Sequence, residues 1–415
     1  MHLRRLGQIM RQEGPHGFYS RLRYPKRRRQ AGSVAPFSRQ LAIIGARSDF
    51  ADSLSAALIA LGHQVLPETA RPGMTRLHID PENPSLAAYG PEDVLVITAG
   101  SGLDPARLGL LARHCHSIIE TSETRLARLI EAGAPADRLF LITRDPALLR
   151  RDLYRIQLAV GSVDPDHADW QQFHELQKLG RRPRLCLSLP ETPERRHSFL
   201  RRRLPEFRLF NGVRGNPGWI GAAIGFRLMA RACLSARVDS AVICEDDLYA
   251  DPRFEDRLEV VTDYLAQTEW DVFSGLSTHI GDGYRVTRVE RFRGETFVHL
   301  NRTTGMVFNI FAPRALDWLA AWSVGTHARA RITIDRHLER MPAMRVVTTL
   351  PFLVDHADGL ASSAWGFSNR RYRGLISASQ RRLARMVAEF EASEGGRRHP
   401  PAAPVPRGRA WWPSL

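Results

Sequence analysis

The chain is nearly devoid of lysine: Lys26 and Lys178 are the only ones among 59 basic residues. Arginine carries almost all the positive charge, which reads as coding bias, so an arginine alone does not mark a phosphate site. Cysteine is scarce as well. Cys115, Cys186, Cys233 and Cys244 show no metal-ligand spacing, and three lie in apolar runs, where a free thiol behaves as a small hydrophobe. That argues against a disulfide framework and for a reducing compartment. No apolar run approaches the ~18 residues of a membrane span. The N-terminus is basic but lacks the apolar core of a secretory signal. A dinucleotide fingerprint is missing too, because Gly45-Ala46-Arg47 is not a GxGxxG. A cytoplasmic protein is expected.

The formal charge of +15 invites a nucleic-acid reading, but the surplus sits at the ends. Residues 1–39 hold ten Lys/Arg against one Glu, and residues 381–415 hold seven Arg against three Glu. The long middle is close to neutral, which excludes a broad basic face and argues against nucleic acid as a partner. A basic tail suits peripheral contact with an anionic membrane.

What is present is an alternation of apolar runs and helical patterns. At 415 residues, with 43% hydrophobic and 25% charged residues, the chain can bury more than one core. Leu41–Gly45, His63–Leu66, Asp93–Thr98, Ser117–Glu120 and Arg138–Thr143 read as strands, with helices at Pro105–Arg113 and Ser122–Ala132 between them. Strands and helices alternating at this spacing predict a small Rossmann-like parallel α/β domain over 40–150. A helical connector over 151–182 follows, with a Gly-Ser-Val-Asp-Pro break. A second α/β unit runs over 183–380, and a helix with a Pro/Arg-rich tail over 381–415. Within the second unit, Tyr284–Phe292 and Thr296–Arg302 alternate around Arg293-Gly294-Glu295, which predicts an antiparallel hairpin. Short strands are expected at Arg345–Thr349 and Pro351–Val354. Thr192 and Pro193 are placed to cap and start a helix that carries Arg195 and Arg196.

The most informative stretch is Ala241–Tyr249. Four apolar residues of a buried strand run straight into Glu245, Asp246 and Asp247. A desolvated carboxylate costs several kcal/mol or takes up a proton. The acids therefore belong at the strand exit beside water, a cation or both. Ligands of open α/β sheets bind at that edge, and hard divalent ions favour carboxylate oxygens bridged to phosphates. A metal–diphosphate site is one reading, and a solvated acidic turn before the next helix is the other.

Several motifs in order resemble glycosyltransferase family 25, the lipopolysaccharide-biosynthesis and collagen galactosyltransferase-like group. Leu185–Arg196 is similar to the family's opening strand and Arg-rich helix, and Phe210–Gly215 stands where the family has "AVDG". Gly218–Gly221 looks like "GEIGC", Val242–Asp247 like "ILEDD", and Thr304–Leu316 like "AYLISPKGA". Ile334-Asp335 and Pro351–Ser363 match the late helix and the final stretch. The likeness spans roughly 183–367. It departs at Gly225-Phe226, where the family has Ser-His, and at Ser188-Leu189-Pro190, where it has Asn-Leu-Asp.

The resemblance implies a GT-A-type nucleotide-diphospho-sugar transferase domain behind the smaller Rossmann-like one. It implies inverting transfer of a hexose, galactose being common, from a nucleotide-sugar donor to a saccharide or lipid-linked saccharide acceptor, assisted by Mn2+ or Mg2+. A non-catalytic carbohydrate- or partner-binding protein of the same fold is the alternative.

Asp247 is the first-choice metal ligand and Asp246 a further candidate, with contact to the ribose or to ligand-bound waters as the alternative for Asp246 and Glu245. Arg195, Arg196 and Asn211 are candidates for the nucleotide, and the arginines equally suit a solvated helix face. Asp335 is placed to take the acceptor's proton or to serve as a helix N-terminal acid. Asp355 is a second candidate base. Its neighbour His356 could complete a metal shell or pair structurally with an acid. Trp365 could stack on a sugar.

Overall fold

The computed structural model describes residues 40–394, except 46–47, 61, 67–73, 83–87, 99–103, 136–137, 161–175, 177, 203, 205, 215–217, 329 and 364–367. Residues 1–39 and 395–415, the break at 161–165 and Trp365 lie outside the described residues. The chain divides into two compact units, 1–174 and 175–415.

The first unit is a six-stranded parallel sheet, ordered β2 (Gln64–Leu66), β1 (Gln40–Ile44), β3 (Thr75–Ile79), β4 (Asp93–Ile97), β5 (Ser117–Glu120), β6 (Leu139–Leu141). Alternation divides its core. Val94 and Val96 face a cluster with Leu54 and Leu58 of α1 (Asp49–Ala60). Leu95 and Ile97 face the opposite cluster, with Leu108 of α2 (Pro105–Leu111) and Leu126 of α3 (Glu123–Glu131). This is the Rossmann-like α/β arrangement expected over 40–150. The unit extends further, because α4 (Leu153–Ala159) packs Ile156 and Ala159 into the first cluster.

Strand β3 has no counterpart in the sequence reading. Its Thr-Arg-Leu-His-Ile sequence looks too polar for a strand paired on both sides. The polar positions close over a buried acid of the next strand. Arg76 Nη2 donates to Asp93 Oδ2 at 2.7 Å, and His78 Nε2 lies 2.9 Å from Oδ1.

The second unit is an eight-stranded mixed sheet, ordered β12 (Val286–Phe292), β13 (Glu295–Leu300), β15 (Val346–Leu350), β11 (Val272–Ser274), β14 (Phe308–Phe311), β9 (Ala241–Glu245), β7 (Arg184–Ser188), β8 (Phe207–Asn211). Strands β8, β7 and β9 are mutually parallel, and β14 runs antiparallel to both β9 and β11. The hairpin over 286–300 forms as expected.

Pro351–Val354 is not a strand. The chain instead makes a two-stranded ribbon from β10 (Leu248–Tyr249) and β16 (Asp355–His356). The last helix starts earlier than expected, at Arg370, and runs to Glu394. It continues through Gly374, whose interior cost of roughly 1 kcal/mol is offset by burial of Ile376, Leu383 and Val387. All four cysteines are buried free thiols. Among the described residues no helix is long and apolar enough to cross a membrane.

Candidate active site

Strand β9 is apolar because it is central, with Cys186 of β7 on one side of Cys244 and Phe308 of β14 on the other. The ladder ends at Glu245, opposite Leu187. Beyond it the acids emerge at the carboxyl edge of the parallel strands, where α/β sheets bind ligands. They line an open cleft of about 1180 Å³, solvent at its mouth included.

Asp246 and Asp247 are largely shielded from solvent. Both are buried, and Glu245 is the most open of the three. Their counter-charge is Arg195, which α5 (Pro193–Arg201) carries in its first turn. Its Nη2 lies 2.6 Å from Asp246 Oδ1 and 2.9 Å from Asp247 Oδ2. Nε donates to Asp246 at 2.8 Å, and Nη1 donates to the Ala361 carbonyl at 2.9 Å. The cation that the acids required is thus built into the chain, and this guanidinium is engaged by the chain's own groups. Thr192 holds the N-cap position ahead of Pro193, but its hydroxyl makes no capping bond and donates to the Leu189 carbonyl at 2.8 Å.

The two buried aspartates differ in openness. Asp246 has both oxygens occupied, one by Arg195 and one by the Ser188 hydroxyl at 2.9 Å. Asp247 Oδ2 accepts from His356 Nε2 at 3.0 Å and from Asn369 Nδ2 at 2.9 Å. Its Oδ1 is buried and has no partner among the described residues.

Burial pushes the Asp247 carboxyl upward, but the charges of Arg195 and His356 and the bonds from His356 and Asn369 outweigh it and hold the group below its ordinary range. Asp246 is raised by burial, against the opposing charge of Arg195. Glu245 is raised by burial and by the charge of Asp247. Burial alone would lower His356, yet the charge of Asp247 and its hydrogen bond raise it.

Asp335 reaches the same cleft from α9 (Ile334–Leu338), α8 being Pro313–Ala320. The Thr333 hydroxyl and the Arg336 backbone N–H both donate to its Oδ1. His356 lines the cleft as well. Asp355 does not: neighbouring strand positions face opposite ways, so Leu248 and His356 turn inward and exposed Asp355 turns out beside Tyr249. Arg196 and Asn211 bond to each other at 2.8 Å and are not among the cleft side chains.

The sequence reading missed Arg214 and Trp219 on one wall, Tyr372 on another, and Asn369 behind Asp247. Trp219, inside the Gly218–Gly221 motif, and Arg214, inside Phe210–Gly215, carried a local signal; Asn369 and Tyr372 carried none. The wall formed by α6 (Gly218–Ser235) lies tight against β7. A Cβ on Gly225 would come within 2.7 Å of Leu187 Cδ1, and one on Gly212 within 3.1 Å.

A divalent ion fits this donor set in one way. Among the described residues no group of three or more His, Cys, Asp or Glu side chains could hold an ion alone. Asp247 lines the cleft, and its buried Oδ1 is a carboxylate oxygen without a partner among the described residues; it would serve an ion whose remaining ligands came from a diphosphate and water. Asp246 already accepts from Arg195 on one oxygen and from Ser188 on the other. No protein-family model matches the chain, and no curated protein matches it.

Proposed function

We propose that the chain is a glycosyltransferase of the family 25 type, with a GT-A-like second unit. It moves a hexose from a nucleoside-diphosphate sugar to a saccharide acceptor with inversion. One observation carries this reading: Asp247, whose buried Oδ1 has no partner among the described residues, and a separate carboxylate, Asp335, line a single cleft at the sheet's carboxyl edge.

Sugar transfer needs charge compensation at the leaving diphosphate and a base for the acceptor hydroxyl. Mn2+ or Mg2+ bound with the donor would supply Lewis acidity at the diphosphate, and Asp247 Oδ1 is the atom that would hold it. Asp335 takes the acceptor's proton. Trp219 and Leu187 give the cleft an apolar wall against which a base or sugar face can lie. Arg214, with the N-terminal turn of α6, adds positive potential on that wall.

The acceptor class that suits this reading is a lipopolysaccharide or surface-polysaccharide precursor, with the basic residues 1–39 drawing the enzyme to an anionic inner-membrane face. Vesicle flotation should then weaken when those residues are deleted.

The deciding experiment is transfer and hydrolysis across a panel of nucleotide sugars, with and without Mn2+, for wild type and Asp247→Ala. Metal-stimulated turnover lost in the variant is the expected result. Donor binding without turnover would favour a carbohydrate-binding protein of the same fold, and neither binding nor turnover would end the reading.

A further inference from the structure

We propose that His356 and Asn369 are positioning residues for Asp247, dividing its carboxylate into one held oxygen and one left without a partner for a ligand. This deepens the glycosyl-transfer reading and rests on it. Three donors converge on Oδ2: Arg195 Nη2 at 2.9 Å, His356 Nε2 at 3.0 Å and Asn369 Nδ2 at 2.9 Å. None reaches Oδ1, which has no partner among the described residues. A carboxylate on a single aliphatic carbon swivels freely, and three donors on one of its oxygens stop that rotation. The other oxygen is then fixed in place before any substrate arrives.

The donors are themselves fixed. Asn369 is fully buried; its Nδ2 also donates to the Ala357 carbonyl at 3.2 Å, and its backbone N–H donates to the Leu360 carbonyl at 2.8 Å. The Ala357 backbone N–H in turn donates to the Asp247 carbonyl at 2.8 Å. His356 is held by its ladder position opposite Leu248 and by the edge of the Tyr372 ring, with centroids 4.9 Å apart.

An ionised carboxylate is only an acceptor, so the proton in the His356–Asp247 bond sits on Nε2. That nitrogen donates to Asp247 and cannot also ligate an ion. His356 was a metal-ligand candidate in the sequence; its Nε2 holds Asp247, which leaves for that role only Nδ1, buried and without a partner among the described residues.

The test uses the full-length protein and two readouts. With 15N-labelled histidine, the resonance absent from His356→Gln identifies His356. The expected result is a protonated Nε2 whose signal shifts sharply in Asp247→Ala, and an unprotonated Nε2 in wild type overturns the proposal.

In the transfer assay, His356→Ala and Asn369→Ala should each lose about 10- to 100-fold in kcat, as supporting partners of a ligand do. His356→Gln, whose amide N–H replaces Nε2–H, should recover most of the loss and keep Mn2+-dependent nucleotide binding. Were the imidazole a ligand through Nδ1, Gln would do no better than Ala and that binding would be lost, which overturns the proposal. If wild type turns over no nucleotide sugar, the glycosyltransferase reading fails, while the nitrogen spectrum still decides whether His356 holds Asp247.

Discussion

One guanidinium grips two consecutive acids: Arg195 Nη2 lies 2.6 Å from Asp246 Oδ1 and 2.9 Å from Asp247 Oδ2, with all three side chains buried. Breaking a buried pair from one side leaves uncompensated charge, which costs more than the pair contributes while intact. Arg195→Ala should therefore lower unfolding stability by about 3–5 kcal/mol. Arg195→Lys should fall between, since an ammonium cannot reproduce the forked contact. Urea unfolding of the three proteins at neutral pH checks this. A loss near zero for Arg195→Ala would mean that the acids take up protons instead.

The His356–Asp247 bond predicts a pH window. The raised His356 contributes stability fully below its unfolded value of about 6.5 and loses it as pH rises through the higher folded value. The lowered Asp247 contributes fully above about 3.9 and loses it as pH falls toward the folded value. The stability difference between wild type and His356→Gln should thus be largest between about pH 4 and 6.5 and shrink as pH rises above that window. Glu245, whose carboxyl burial pushes up to about 8, also faces His356, so the comparison is made in a Glu245→Gln background. A difference flat across that range, from urea midpoints, would remove the charged pair.

Restoring a side chain at Gly225 should strain the cleft wall. Serine in a helix interior gains about 0.5 kcal/mol over glycine in propensity, but its Cβ would stand 2.7 Å from Leu187 Cδ1. Overpacking of this kind costs about 1–3 kcal/mol, so Gly225→Ser should be net destabilising. Adding Leu187→Ala should then cost less than in the Gly225 background, a coupling of about 1 kcal/mol. Thermal or urea unfolding of the four proteins closes the cycle.

The two late aspartates should separate by activity. Asp335→Asn should reduce kcat by about 10²- to 10⁴-fold, as loss of a general base does, with donor binding by calorimetry unchanged. Asp355 faces outward, so Asp355→Asn should leave the rate near wild type. Equal effects of the two substitutions would dislodge Asp335 from the role.

Much of the secondary structure was legible because local periodicity decides it. The apolar run of β9, the hairpin over 286–300 and the helix α7 (Phe254–Leu265) stand where their patterns place them. Strand β3 was illegible because its polar positions make sense only against Asp93 of the neighbouring strand. Asp355 and His356 are adjacent in sequence and looked like a pair. The ribbon with Leu248–Tyr249 sends them to opposite faces, and no pattern in residues 351–356 announces that ribbon.

The sequence alone determined that three acids follow a central strand, and that such charge needs a cation or water, because desolvation of a carboxylate is costly wherever it occurs. Which cation answers it was decided only in three dimensions. Arg195 precedes Asp246 by 51 positions and Asn369 follows Asp247 by 122. Their meeting depends on strand order and helix placement, which hydrophobic pattern constrains only through the packing of the whole sheet. The same packing left one oxygen of Asp247 without a partner among the described residues. Composition can place a carboxylate at a strand's end, but only tertiary structure can hold one of its oxygens and leave the other free.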